Sequence, residues 1–161
     1  MRNTFNYIKK ALDNKIGILE RETEVGFVQF GNFKTDVAGV FKDKKYLFKK
    51  KSFWSSNYVI YRDDNQQLIG EVIFSNWKRK AEISLANGEK FVMQSKNFWS
   101  TQWSLDDTNR EVVDFVQTRN FWTNEGTITA DVKDNEKMGL LVLLSTFVNF
   151  VYKRRAAEAA S

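Results

Sequence analysis

Polar and apolar residues alternate over most of the chain. Lys80, Glu82 and Ser84 interleave with Ala81, Ile83 and Leu85, and Thr127, Thr129 and Asp131 interleave with Ile128, Ala130 and Val132. Successive side chains of a strand point to opposite faces, so each polar set faces water and each apolar set a core. The pattern predicts strands over 24–31, 36–43, 45–51, 57–63, 67–75, 79–86, 89–96, 100–106, 110–118 and 126–133.

A longer period overlies this alternation. Trp54, Trp77, Trp99 and Trp122 stand 23, 22 and 23 positions apart, in Ser52-Phe53-Trp54-Ser55, Ser75-Asn76-Trp77-Lys78, Asn97-Phe98-Trp99-Ser100 and Asn120-Phe121-Trp122-Thr123. A weaker copy begins at Gly31-Asn32-Phe33-Lys34, with a turn near Asp43-Lys44. Turn residues lie midway between the tryptophans, at Asp63-Asp64-Asn65, Asn87-Gly88 and Asp106-Asp107-Thr108-Asn109. A unit of roughly 22 residues with a turn at its middle is a β-hairpin. Asn87-Gly88 fits a type I′ turn, which needs positive φ at both central positions. One hairpin cannot bury its own apolar face, so the hairpins must share a core, as in a barrel or sandwich. The repeated tryptophans are expected to pack at the hairpin junctions rather than form a ligand cage, because indole has so much area to bury.

Two segments read as helices. Asn3 or Thr4 caps a short one over 1–17, with Phe5, Ile8 and Leu12 on one face and Gly17 near its end. It is expected to dock on the barrel. The alternative is a membrane contact with Lys9, Lys10 and Lys15 among headgroups, but three apolar residues make a weak anchor. At the other end, eleven of the fifteen residues from Met138 to Tyr152 are apolar. Asp134 or Asn135 caps this helix, and Lys153-Arg154-Arg155 falls where the helix dipole favours cations. Fifteen residues rise about 22 Å, against a hydrocarbon core of about 30 Å. Leu140, Leu141, Val142, Leu143 and Leu144 surround the axis, and a helix apolar on every side is buried on every side. Ser145, Thr146 and Asn149 suit lipid contact poorly, but can bond to backbone carbonyls.

The expected fold is therefore mainly β with a buried C-terminal helix (α+β), a closed antiparallel barrel of about 12 strands around a central hydrophobic helix. It is expected to form a single domain over 1–161, with the short helix over 1–17, the hairpin barrel over 20–133 and the apolar helix over 135–155.

Composition narrows the chemistry. The chain has no Cys, His or Pro. Disulfides, thiolate nucleophiles, sulfur-ligated metals and Ser-His-Asp or Cys-His sites are excluded, and a typical zinc site is strongly disfavoured. The aromatic share of 15% favours strands. The start lacks the apolar stretch of a secretory signal, so the expected location is cytoplasmic, with room for a peripheral place at a membrane. No catalytic residue, metal or cofactor is expected.

The net charge of +5 mildly favours acidic partners. Three basic clusters stand out: Lys44-Lys45 with Lys49-Lys50-Lys51, then Lys78-Arg79-Lys80, then Lys153-Arg154-Arg155. Lys49, Lys50, Lys51, Lys78, Arg79 and Lys80 are the candidate ligand-binding residues, because stacked repeats would set them on one rim. Taken singly, each cluster reads first as a solvated strand face. Asp63-Asp64 and Asp106-Asp107 are paired carboxylates at turn tips, where capping the local backbone is expected ahead of acid–base work. Aromatics beside lysines, as in Phe48-Lys49-Lys50-Lys51-Ser52-Phe53-Trp54, would stack nucleic-acid bases if exposed. The expectation that they pack argues against nucleic acid.

The hairpin Tyr58-Val59-Ile60-Tyr61-Arg62-Asp63-Asp64-Asn65-Gln66-Gln67-Leu68-Ile69-Gly70-Glu71-Val72, the strand start Trp77-Lys78-Arg79-Lys80 and the helix Gly139-Leu140-Leu141-Val142-Leu143-Leu144 together resemble the tubby C-terminal-like superfamily, which includes LURP-one-related proteins and phospholipid scramblases. The likeness spans roughly residues 20 to 155. It implies a barrel of about twelve strands around a central helix. It also implies a binding role at membranes, toward phosphoinositide-like ligands or an anionic membrane surface. The cysteine-rich, lipid-modified segment of scramblases has no counterpart in a chain without Cys. The expected function is a non-enzymatic module binding anionic phospholipid, or another anionic ligand, at a basic rim. The alternative is a scaffold domain that meets protein through an open barrel edge or the N-terminal helix.

Overall fold

The structure, a computed structural model, describes residues 2–31, 36–52, 54–63, 65–120 and 122–160. Among the described residues, twelve strands precede one helix. They are β1 (Asn3–Lys10), β2 (Lys15–Glu20), β3 (Thr23–Phe30), β4 (Asp36–Phe41), β5 (Lys44–Lys50), β6 (Asn57–Arg62), β7 (Gln67–Phe74), β8 (Lys80–Leu85), β9 (Lys90–Ser95), β10 (Gln102–Asp106), β11 (Glu111–Asn120) and β12 (Thr123–Ala130), followed by α1 (Asn135–Ala160). Each strand pairs antiparallel with its sequence neighbours, and β12 closes on β1 in continuous register from Asn3↔Ala130 to Lys10↔Thr123. Closure leaves the described sheet no open edge.

The alternation in sequence becomes the two faces of the wall. Val28 and Phe30, Tyr46 and Phe48, Val72 and Phe74, and Ala81 and Ile83 point inward and are buried. Lys45, Glu71 and Glu82 alternate with them and remain accessible. The inward residues meet α1, whose residues Met138 through Val151 are all buried. The helix thus fills the barrel as a central pillar. Asp134 caps it, its Oδ1 accepting from the Lys137 amide at 2.9 Å. Ser145 Oγ donates to the Leu141 carbonyl at 2.8 Å and Thr146 Oγ1 to the Val142 carbonyl at 2.9 Å, so these hydroxyls are satisfied within the helix. Phe147 is the hub, with the rings of Phe48 and Tyr58 at 4.8 and 4.9 Å and those of Phe74 and Phe30 at 5.9 and 6.3 Å. At Gly139 an added Cβ would lie 2.6 Å from Phe41, so the missing side chain is what lets the wall approach the pillar there.

Three expectations need correction. The helix expected over 1–17 is not there among the described residues: 3–10 form β1 and 15–17 the start of β2. Phe5 and Tyr7 are buried two apart, a strand period, and the pairing of β1 with β12 supplies the closure no local pattern announces. Asn87-Gly88 does not make a type I′ turn. Gly88 has φ 95° but Asn87 is not at positive φ; its Oδ1 instead accepts from the Glu89 amide at 3.0 Å. The repeated tryptophans do sit at hairpin junctions, but they are exposed rather than packed, because α1 and the inward strand residues already fill the interior. The weak repeat at Asn32-Phe33-Lys34, together with Phe53, Asp64 and Phe121, lies outside the described residues.

The topology gives the barrel two unlike ends. Connections leaving odd-numbered strands share one rim, and those leaving even-numbered strands share the other. Helix α1 enters after β12 at the second rim and emerges at the first. There the Tyr152 hydroxyl donates to the Lys80 carbonyl at 2.6 Å.

Candidate functional site

The rim where α1 emerges is built from hairpin tips braced by small polar side chains. In the β7–β8 turn, Ser75 Oγ accepts from the Trp77 and Lys78 amides at 3.3 and 3.2 Å. In the β9–β10 loop, Asn97 Oδ1 accepts from the Thr101 and Gln102 amides at 3.0 and 3.3 Å. In the β5–β6 loop, Ser55 Oγ accepts from the Asn57 amide at 3.0 Å. With the turns held this way, the aromatic residues point outward. Trp54 is 91% exposed, Trp77 95%, Phe98 and Trp99 each 78%, and Trp122 75%. Trp103 differs: it is buried in β10, its Nε1 donating to the Ser100 carbonyl at 3.0 Å.

The candidate basic residues gather on this same rim but not in one pocket. Lys78, Arg79 and Lys80, joined by Lys96, line a shallow groove of about 360 Å³ with Asn97 and Phe98. Arg79 reaches Ser100 across it. Lys50 lines a separate recess of about 170 Å³ with Tyr58, Arg154, Arg155 and Glu158. Lys51 pairs with Glu71 at 2.7 Å, and the Lys49 ammonium lies 5.9 Å from the Tyr61 ring centre. Lys44 and Lys45, grouped with these by sequence, stand at the opposite rim, because β5 runs from one end of the barrel to the other.

A further recess of about 230 Å³ lies between the helix exit and the β1–β12 seam, lined by Lys9, Lys10, Trp122, Lys153 and Arg154. Burial, and then the neighbouring Lys9 charge, lower the Lys153 pKa to about 7. Its Nζ donates to Asn124 Oδ1 at 3.3 Å and lies 4.7 Å from the Phe150 ring centre. Burial raises the Tyr58 hydroxyl pKa, opposed by Arg155 and Arg154. Lys96 was not among the sequence candidates, and Lys9 and Lys10 were weighed only as headgroup contacts of a helix over residues that instead form β1. The position of Lys96 just past the end of β9, beside the repeated Asn97-Phe98-Trp99 turn, was the available signal.

The opposite rim is different in kind. Its recess of about 510 Å³ is lined by Tyr46, Leu68, Asn87 and Asp134 and by the ion pairs Arg62–Glu136 and Lys137–Glu89. The Asp107 carboxylate accepts from the Asn109 and Arg110 amides at 2.7 and 2.8 Å, which holds its pKa below the usual carboxylate value. That is turn capping.

Among the described residues, no group of three or more His, Cys, Asp or Glu side chains stands ready to hold a metal ion. Among them too, no helix is long and apolar enough to cross a membrane. No protein-family model matches the chain. No curated protein and no solved structure matches it either.

Proposed function

We propose that this chain is a non-enzymatic binding module that takes anionic phospholipid headgroups, or a chemically similar anionic ligand, on the basic rim. One observation carries the reading: clusters as distant in sequence as Lys49–Lys51, Lys78–Lys80 and Lys153–Arg155 meet at one end of the barrel. Near an anionic surface each such residue contributes about 1 kcal/mol, within a Debye length of about 8 Å. Lys51 and Lys96 contribute less, since Glu71 and Glu111 already pair with them at 2.7 and 3.1 Å. Lys78 and Arg79, exposed beside the groove, contribute most freely.

A peripheral, cytoplasmic place at a membrane and kinship with the tubby-like superfamily belong to the same reading. A twelve-strand barrel around a central helix is in keeping with that kinship. The scaffold alternative loses the two surfaces it named, since the described sheet closes without an edge and residues 3–10 form a strand.

Co-sedimentation of the full chain with phosphatidylcholine vesicles, with and without about 30% phosphatidylserine, tests the proposal. Binding only to the anionic vesicles is expected. Lys78→Glu with Arg79→Glu should weaken it about tenfold or more, two reversed charges exceeding the roughly 1.4 kcal/mol that a factor of ten requires. Equal, negligible binding to both vesicle types ends the proposal.

A further inference from the structure

Charge does not account for everything on this rim. Leu12, Trp54, Trp77, Phe98, Trp99 and Trp122 are each at least 75% exposed, and all six belong to connections at the end where α1 emerges. Exposed apolar groups concentrated this way mark an interaction surface.

Three features of the rim select its occupant. The tips come from separate hairpins around the perimeter of a closed barrel, so they form a ring about the exit of α1 rather than one continuous groove that holds a peptide. Lysines and arginines alternate with them: Lys10, Lys51, Lys78, Arg79 and Lys96 flank the aromatic tips, and Arg154 and Arg155 stand inside the ring. A second copy of this rim would set like charge against like, whereas an anionic surface complements it. Tryptophan, apolar over its ring with one N–H donor, is also the side chain suited to the boundary between headgroups and acyl chains.

We infer that the rim docks end-on against an anionic lipid bilayer, with the indoles of Trp54, Trp77, Trp99 and Trp122 inserted at the level of the headgroups. This rests on the anionic-ligand reading above and goes beyond it by fixing the end of the barrel that docks and the side chains that enter the bilayer. The emerging end of α1 then faces the membrane and the acidic turns face away from it.

Tryptophan emission of the full chain, titrated with vesicles containing about 30% phosphatidylserine and with brominated phosphatidylcholine as a depth quencher, tests the inference. A blue shift and bromine quenching are expected, with a residual unquenched component from buried Trp103. Trp77→Ser with Trp99→Ser should lower partitioning about tenfold or more while leaving the unfolding midpoint unchanged, because both side chains are exposed in the free protein. Vesicle binding without shift or quenching, and undiminished in that variant, would leave the indoles in water: the inference falls and the anionic-ligand reading stands. No binding to anionic vesicles removes both. A discrete homodimer that the same variant dissolves, with no vesicle binding, also overturns the bilayer assignment.

Discussion

Replacing Lys153 by Met should stabilise the protein, and the gain should depend on pH in a way set by one partly buried amine. In the folded state burial and the Lys9 charge lower the Lys153 pKa from 10.5 to about 7. Between those values the unfolded chain binds a proton there that the folded chain does not, so this residue makes stability rise with pH across that window. Below pH about 7 both states carry the proton, and the folded state bears the whole penalty of the partly buried ammonium. One pKa unit corresponds to about 1.4 kcal/mol, which sets a ceiling of about 5 kcal/mol. Losing the hydrogen bond to Asn124 subtracts about 1 kcal/mol from the gain. The test is urea unfolding of both proteins at several pH values from about 6 to 9, with the difference between them as the readout. That difference cancels titrations the two proteins share, such as those of Tyr58 and Tyr152, whose pKa values burial raises. The Met variant should lead by several kcal/mol at pH 6, and its lead should shrink by about 3 kcal/mol by pH 9. A difference that stays flat with pH, or a variant less stable at pH 6, would refute the buried-amine account.

Two further outcomes follow from the pillar. Phe147→Ala removes the ring that Phe48, Tyr58 and Phe74 surround, and should cost about 3–5 kcal/mol in denaturant unfolding; a loss under about 1 kcal/mol would mean that the barrel collapses onto the gap. Asn149 is buried in α1, and its Oδ1 has no hydrogen-bond partner among the described residues. Asn149→Leu should therefore be neutral or stabilising by about 1–2 kcal/mol in the same assay, and a clear loss would point to a partner for the amide.

Ten of the twelve strands were legible from alternation and turn chemistry, because a wall with one wet face and one dry face writes that pattern directly. The pillar was legible for a related reason: Leu140 to Leu144 leave no side for water. β1 and β2 were hidden. Phe5, Ile8 and Leu12 also fit a helical period, and only pairing with β12, more than a hundred residues away, selects the strand. The tryptophans show the limit of arguing from residue type alone. Their spacing located them at one end of the repeat, but whether that end is dry depends on what fills the barrel. The basic groups were legible as clusters, and their sharing of a rim followed once strand direction was known. The split of Lys44-Lys45 from Lys49–Lys51 needed the span of β5.

The pillar also has a history within each molecule. Translation delivers all twelve strands before α1 leaves the ribosome, so the wall is synthesised around an interior whose filling has yet to arrive. The seam between β1 and β12 joins the first strand made to the last, a contact of high sequence separation and hence slow to form. Until α1 docks, the nascent sheet presents unpaired margins and bare apolar faces to its surroundings, the condition in which chains aggregate or engage chaperones. The wall of this barrel is therefore complete before its filling, and its yield in a cell should track how quickly α1 docks.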